Sequence, residues 1–154
     1  MWHRLILKKG ADLVMNETQS RRSIGRSVLA VLAGIAVGAA LSIGTDSLLR
    51  AAGIFPKLGQ QMSDGLFGLA TAYRIVYGIL GSYVIAWLAA SRPMQHALIG
   101  GVLGLVVSII GAVATWNRDM GPHWYAIAIA VTALPCAWAG GKLWIMQARV
   151  AISA

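Results

Sequence analysis

Four long apolar stretches, separated by short polar segments, form the main pattern of this chain. No Lys, Arg, Asp or Glu occurs in residues 27–45, 75–91, 93–117 or 120–141. A lipid hydrocarbon core about 30 Å thick is crossed by roughly 20 helical residues, and each stretch is near that length. The pattern therefore predicts an all-α membrane protein with four transmembrane helices.

Turn signals and prolines set the limits of these helices. Gly53 and Pro56 follow the first helix, Pro93 disfavours helix in the residue before it, and Pro122 suits the start of the last helix. We place the helices at residues 27–49, 67–90, 97–117 and 122–146. Their short connections predict an up-down bundle. The expected organisation is an N-terminal segment at 1–25, a transmembrane domain at 26–147 and a short tail at 148–154.

Lys and Arg residues predict the orientation of this bundle. Nine of them lie before the first helix, between the second and third, or at and beyond the end of the fourth: Arg4, Lys8, Lys9, Arg21, Arg22, Arg26, Arg92, Lys142 and Arg149. Three lie on the opposite side: Arg50, Lys57 and Arg118. Because cytoplasmic segments carry the excess of positive charge, the N-terminal segment and the C-terminal tail are both predicted to be cytoplasmic.

The first residues differ from the rest of the chain. Residues 1–14 mix Trp2 and Leu5 with Lys8 and Lys9, which predicts a short helix on an anionic membrane surface. The alternative is that the native start is Met15 and that residues 1–14 are not native. The first apolar stretch exceeds the roughly 7–15 apolar residues of a secretory signal, so it is expected to remain as a membrane helix.

Composition agrees with a membrane location and excludes several function classes. Of the 154 residues, 58% are hydrophobic and only 12% are charged, whereas a soluble domain averages about 25% charged residues. The net charge of +8 resides mainly at the ends of apolar segments, so we expect a lipid bilayer and no nucleic acid as partner. The single cysteine, Cys136, excludes an internal disulfide and a cysteine-based metal site.

No pattern in the chain indicates catalysis. His3, His96 and His123 lie at the ends of the predicted helices or outside them, where they cannot hold a haem between helices. Five acidic residues are too few for a carboxylate-rich metal site, and no phosphate-binding glycine loop or Ser-His-Asp set is present. We therefore expect no enzyme activity, no catalytic residue, no cofactor and no metal.

Glycine and serine recur with the same spacing in the first and third helices. Both read Gly-xxx-Gly-xxx-Ser-Ile, and their small residues are Gly34, Gly38, Ser42, Gly100, Gly104 and Ser108. This similarity is compatible with two parallel helical hairpin repeats, each of two helices, and also with coincidence. Residues four apart lie on one helix face, so each set forms a smooth stripe that favours close helix packing.

Gly78 and Gly81 form a smaller stripe in the second helix. The stripes can meet within one chain, across a homo-oligomer or against another membrane protein, and the sequence leaves these alternatives open.

In the fourth helix, Pro135 removes a backbone donor and predicts a kink, with Thr132 available to bond the freed carbonyl of Val131. Gly140 and Gly141 follow, and they suggest a deformable segment.

Asp46 and Arg74 are the charged residues within the predicted helices and away from their cytoplasmic ends. Asp46 lies about 12 Å from the middle of the first helix and Arg74 about 7–8 Å from the middle of the second, both towards the outer side. The long Arg74 side chain can extend further outward, so the two head groups can reach the same level. We expect an intramembrane ion pair that holds the first two helices together.

Two alternatives to a structural ion pair remain. Thr45, Tyr73 and Tyr77 adjoin Asp46 and Arg74, so these residues can line an outward-facing polar pocket for an anion or small solute. Alternatively, Asp46 and Arg74 reach towards water separately, without pairing. The sequence does not distinguish among the three.

Several short motifs give the chain a family resemblance. In order, they are Ala33–Gly38, Thr45–Asp46, Ala72–Arg74, Arg92–Ala97 and Gly121–Tyr125. With these motifs, the chain from about Arg26 onward resembles a family of small four-helix bacterial membrane proteins. The resemblance implies a bacterial cytoplasmic (inner) membrane location and the four-span layout. It implies no activity, because none is assigned to that family.

Two functional hypotheses follow. The first is a non-enzymatic bundle that self-associates or serves as an accessory subunit of another membrane protein, through its glycine stripes. The second is a small-solute transporter that works as a homo-oligomer, with a polar pocket near Asp46 and Arg74. Compact four-helix multidrug exporters offer an analogy for the second, but they carry a carboxylate deep in their first helix, where this chain has Gly34, Gly38 and Ser42.

Overall fold

The computed structural model describes the backbone of residues 2–57, 60–89, 91–117 and 121–153, and the side chains of 25–57, 60–89, 91–117 and 121–151. Its regular elements are four helices: α1 Trp2–Ala51, α2 Asp64–Leu88, α3 Pro93–Thr115 and α4 His123–Ser153. Each contains a segment long and apolar enough to cross a membrane: Gly25–Ala51, Asp64–Leu88, Pro93–Thr115 and His123–Ala151. The predicted all-α class with four long apolar helices is confirmed.

Several helix limits differ from the predicted ones: α1 begins at Trp2 instead of residue 27, and α4 continues to Ser153 instead of residue 146. The helix α3 begins at Pro93 instead of residue 97, because proline needs no backbone donor in the first turn and its fixed φ suits a helix start. Arg92 before it adopts a left-handed conformation with φ 48° and ψ 57°, which turns the chain sharply after α2. The predictions made for residues 1–14 lie outside the described side chains.

The C-terminus of α1 is closed by a glycine turn. Gly53 has φ +74°, a conformation that residues with a side chain rarely adopt. Its N–H donates to the Arg50 carbonyl at 3.0 Å, and the N–H of Ile54 donates to the Leu49 carbonyl at 2.9 Å. This pair of bonds satisfies carbonyls that the helix end leaves free, and it explains why α1 stops before the loop.

Both α2 and α3 contact all three other helices, and α2 has the most extensive contacts, mainly with α4 and α1. Among the described residues, α1 contacts α2 and α3 but not α4. Gly34 of α1 contacts Gly81 of α2, and Asp46, later in α1, contacts Arg74, earlier in α2. These two helices therefore run in opposite directions. The α2 and α4 helices run in the same direction, because Phe67 stacks near Tyr125 and Tyr83 near Trp144.

Small residues allow the helices to approach closely. Five of the most buried positions are alanines: Ala30, Ala70, Ala86, Ala97 and Ala137. At Gly140, an added Cβ would overlap the Ile79 carbonyl oxygen and lie 2.7 Å from the Tyr83 backbone nitrogen. Gly141 likewise packs against Ala97 of α3. These contacts argue against the deformable segment expected at the two glycines, because both are held between neighbouring helices.

The helix α4 continues through Pro135. The Thr132 hydroxyl donates to the Ala128 carbonyl at 2.7 Å and approaches the Ile129 carbonyl at 3.2 Å. The expectation that Thr132 bonds the carbonyl of Val131 is therefore wrong, since a threonine side chain in a helix reaches backwards by three or four residues. The kink at Pro135 stays a prediction.

Candidate functional site

The most polar contact between described residues inside the apolar helices joins α1 to α2. Arg74 Nη2 lies 2.7 Å from Asp46 Oδ2. The Tyr73 hydroxyl donates a hydrogen bond to Asp46 Oδ1. Both oxygens of the carboxylate therefore have donors, one of them charged. The side chains remain partly accessible, 17% for Asp46 and 27% for Arg74.

A second hydrogen bond continues this contact. Thr45 Oγ1 and the Tyr77 hydroxyl are 2.8 Å apart, and the rings of Tyr73 and Tyr77 lie 5.7 Å apart. The structure thus brings together all five residues named for the ion pair and the polar pocket. We call this set the Asp46 cluster: Thr45, Asp46, Tyr73, Arg74 and Tyr77.

Helix periodicity explains why these residues meet. Thr45 and Asp46 come three and four residues after Ser42, so they continue the face of α1 that carries Gly38 and Ser42. On α2, Tyr73 and Tyr77 are four residues apart and share a face. Since α1 and α2 run in opposite directions, the last turns of α1 face the early turns of α2.

Arg74 also contacts a residue that the sequence did not connect to it. The guanidinium carbon lies 5.6 Å from the ring centroid of Tyr125 on α4, and 5.7 Å from that of Tyr73. Arg74 therefore bridges α1, α2 and α4. Tyr125 is in the first turn of α4, and no spacing in the sequence connects it with Arg74.

Most of the glycines predicted for helix packing have close neighbours in the chain. A Cβ on Gly34 would overlap the Gly81 carbonyl oxygen and the Ile85 side chain. A Cβ on Gly100 would overlap Ile85 Cδ1, so one isoleucine lies between the stripes of α1 and α3. Gly38 lies near the Tyr77 carbonyl oxygen, and Gly78 faces Cys136.

Gly104 differs from these glycines. A Cβ there would meet no atom within 4 Å, so the middle of the α3 stripe has no close neighbour in the described part of the chain. Ser108 uses its hydroxyl locally and donates to the Gly104 carbonyl at 2.7 Å.

The stripes of α1 and α3 border a shared cavity of about 430 Å³, which we call the α1–α3 groove. Its walls include all six small residues of the two stripes: Gly34, Gly38, Ser42, Gly100, Gly104 and Ser108. The α2 and α4 helices form its base, with Arg74 and Tyr77 among the lining residues. The groove is thus mainly apolar and borders the Asp46 cluster.

A second cavity of about 550 Å³ lies between the end of α3 and the start of α4, and we call it the Trp116 cavity. Thr115 and Trp116 line it from α3, and His123 and Tyr125 line it from α4. Its walls share four residues with the groove: Arg74, Val107, Ser108 and Ile129. Arg74 therefore lies at the boundary between an apolar groove and a more polar cavity.

The chemistry of these sites is hydrogen bonding and charge. Within the described ranges, no group of three or more His, Cys, Asp or Glu residues is placed to hold a metal ion. The fold defines a helical protein with four candidate membrane spans. Comparison of the chain with protein-family models, with curated proteins and with solved structures finds no match. The function is therefore argued from the geometry.

Proposed function

We propose that the protein is a multi-pass protein of a bacterial inner membrane, with its helices in an up-down bundle and both termini in the cytoplasm. The opposite directions of α1 and α2 support this arrangement. So does the excess of Lys and Arg on the side of the termini. In this orientation the Asp46 cluster and the Trp116 cavity lie towards the outer face.

Reporter fusions test this topology. A cytoplasm-active reporter after Ala154 and a periplasm-active reporter inserted between Trp116 and Gly121 should both be active in bacterial cells. The reciprocal pair of fusions, with the reporters exchanged, is the matched control and should be inactive. Activity of the exchanged pair would show that the bundle has the opposite orientation.

In this membrane, the protein acts as a non-enzymatic subunit that associates with a second copy or with another membrane protein. One observation supports this role above the others: the α1–α3 groove is lined by small residues of both helices, and Gly104 has open space beside it. Apolar surfaces gain no hydrophobic stabilisation from leaving lipid, so membrane helices associate where small residues permit dense contact. A groove of this kind suits the side chains of an incoming helix.

The Asp46 cluster has a structural role in this proposal. It fixes the late turns of α1 to α2, and Gly34 fixes an earlier turn at Gly81. Both attachments leave the groove between α1 and α3 accessible. Because each carboxylate oxygen of Asp46 already has a donor, the Asp46 carboxylate is satisfied without a ligand.

Filling the groove tests the association. A leucine at Gly104 has room in the monomer, so the Gly104→Leu protein should fold, but its side chain would occupy the space of the incoming helix. Differently tagged copies, or the native partner, should copurify with the wild type and not with Gly104→Leu. Gly44→Leu is the matched control, because Gly44 also has no atom near its Cβ position and does not line the groove. Equal copurification of all three proteins would refute association through the groove.

A small-solute transporter that works as a homo-oligomer is the second candidate. It is favoured by one observation, the meeting of the α1–α3 groove and the Trp116 cavity at Arg74. Proteoliposomes test it with inorganic phosphate and acetate as probes. A transport role predicts that Arg74→Lys remains folded and loses uptake of at least one probe that the wild type admits. Impermeability of the wild-type proteoliposomes to both probes would exclude transport of small anions by this route.

A further inference from the structure

The Trp116 cavity has a chemistry that association through the groove does not use. Arg74 lies at its base, and His123 lies at its rim, where the first turn of α4 begins. That turn contains no acidic residue, and no described acidic side chain lines the cavity. His123 Nε2 already lies 3.1 Å from the Trp116 carbonyl oxygen, and the Tyr125 N–H donates to the Pro122 carbonyl. The groups that favour an anion here are therefore Arg74 and the remaining backbone N–H groups at the start of α4, where the helix carries partial positive charge.

The guanidinium of Arg74 has donors available for such an anion. Nη2 donates to Asp46, and the described residues provide no hydrogen-bond acceptor for Nη1 or Nε. Arginine is a planar donor that can bond a carboxylate on one edge and a second oxyanion on the other. The ring centroids of Tyr73 and Tyr125 lie 5.7 Å and 5.6 Å from the guanidinium carbon, so both rings contribute cation–π attraction to Arg74.

The remaining walls are those of an amphiphile site. Val107, Ala112 and Ile129 make one side apolar, and Trp116 and Tyr125 add aromatic surface. Val107 is also 68% exposed, so the cavity opens onto the outer apolar surface of α3. Tryptophan and tyrosine at the end of a membrane helix lie at headgroup level, where a lipid phosphate is found.

From these observations, we infer that the Trp116 cavity binds the phosphodiester headgroup of an anionic membrane lipid. The phosphate oxygens accept hydrogen bonds from the free edge of Arg74 and from the first turn of α4. One acyl chain of the lipid follows the exposed surface of α3 beyond Val107. The inference rests on the proposed membrane location, and it does not depend on association through the α1–α3 groove.

The experiment uses the full chain, purified in a non-ionic detergent, with phosphatidylglycerol as the probe and native mass spectrometry as the readout. Phosphatidylcholine, whose headgroup has the same phosphate but no net charge, is the comparison lipid. We expect the wild type to retain phosphatidylglycerol and to retain phosphatidylcholine more weakly. Equal retention of the two lipids would overturn the inference, because the cavity would then not recognise net negative charge.

Two variants locate the binding. A leucine at Gly111 lines the cavity and has open space in the monomer, so Gly111→Leu should fold and exclude the lipid. Arg74→Lys keeps a positive charge beside Asp46 but lacks the second donor edge. Loss of one charge-assisted hydrogen bond predicts a drop in affinity of about tenfold for Arg74→Lys. Gly44→Leu, which lies outside both cavities, should bind as the wild type does.

The variants also separate this inference from its competitors. Unchanged phosphatidylglycerol binding by Gly111→Leu would place the lipid elsewhere and overturn the inference, whether or not Arg74→Lys folds. Binding of inorganic phosphate at lower concentrations than phosphatidylglycerol would overturn it too, in favour of a site for a free anion. Native mass spectrometry counts the lipid bound to a single chain. A negative lipid result is therefore distinct from a negative copurification result, which tests association through the groove.

Discussion

Ile85 of α2 occupies the space that a side chain on Gly100 of α3 would need. A Cβ on Gly100 would overlap Ile85 Cδ1, and the only other atom of a described neighbour within 4 Å is Ile85 Cγ1, at 3.8 Å. The contact therefore depends on one terminal methyl group. Ile85 also contacts Gly34 of α1, where an added Cβ would overlap Cγ1. Ile85 thus separates α1 from α3 at one end of the groove.

This contact predicts a specific rescue. Gly100→Ala should lower the unfolding free energy by about 1–3 kcal/mol, because it overpacks a closed contact. Ile85→Val deletes Cδ1, the overlapping atom, and alone should cost about 0.5–1.5 kcal/mol. The double variant should be more stable than Gly100→Ala, as measured by thermal or denaturant unfolding in detergent. Strictly additive losses would show that Cδ1 is not the obstacle.

The same valine should fail to rescue Gly34→Ala. At Gly34 the new Cβ would overlap Ile85 Cγ1, which valine keeps, and also the Gly81 backbone oxygen, which no side-chain change removes. We expect Gly34→Ala to cost about 1–3 kcal/mol with or without Ile85→Val, measured in the same unfolding assay. Rescue at Gly34 comparable to that at Gly100 would contradict the backbone contact between α1 and α2.

A double-variant cycle measures the coupling of Asp46 and Arg74. Arg74→Met leaves the Asp46 carboxylate without its charged donor, and Asp46→Leu leaves the guanidinium without its acceptor. Each should lower the unfolding free energy by about 1–3 kcal/mol. The double variant should lose less than the sum of the two, because neither charge is left unpaired. If the losses simply add, the ion pair does not hold α1 to α2.

Three tyrosine-to-phenylalanine changes rank the hydrogen bonds. Tyr73→Phe removes a donor to the Asp46 carboxylate and should cost about 1–2 kcal/mol, whereas Tyr77→Phe removes a neutral bond to Thr45 and should cost about 0.5–1 kcal/mol. Tyr83→Phe is the matched control, since its partner Gln147 is exposed. Its effect on the midpoint of thermal unfolding should be the smallest. A largest loss at Tyr83 would mean that the Asp46 cluster contributes little stability.

Adding a methyl group at two glycines should have opposite effects. Gly140→Ala places a Cβ against the backbone of Ile79 and Tyr83, so we expect a loss of about 1–3 kcal/mol. Gly104→Ala meets no neighbour, and alanine favours helix, so the monomer should be unchanged or up to about 1 kcal/mol more stable. Unfolding of detergent-solubilised monomers decides between them. Similar losses at both sites would contradict the open groove.

Apolar length and the two charged positions carried most of the predictive information in the sequence. In lipid, a single uncharged stretch of about 20 residues can hydrogen-bond all its backbone N–H and C=O groups only as a helix, so the four helices followed directly. The contact between Asp46 and Arg74 was accessible because both residues are rare, and their depth along the helices can be counted. Tyr73 and Tyr77 followed from their spacing around Arg74.

The choice of helix partners was not accessible from the pattern. In lipid, every face of a helix can be apolar, so hydrophobic periodicity does not indicate which face meets which neighbour. Gly140 was interpreted as a deformable point, but it is a crossing point of α4 and α2. The placement of Ile85 between two glycines, and the cavity that ends at Trp116, depend on three-dimensional register. A single sequence does not encode that register in its spacing.

Among the described residues, α1 makes most of its contacts with α2 and none with α4, and this has a consequence for biogenesis. As a chain emerges from the ribosome, α1 is synthesised first, and it must wait for α2 before it meets the helix that holds most of its contacts. During this interval Asp46 has neither Arg74 nor Tyr73 as a donor. Membrane insertion of α2 therefore completes the environment of a carboxyl group already delivered to the bilayer, and translational pausing between the two helices would prolong its exposure to lipid.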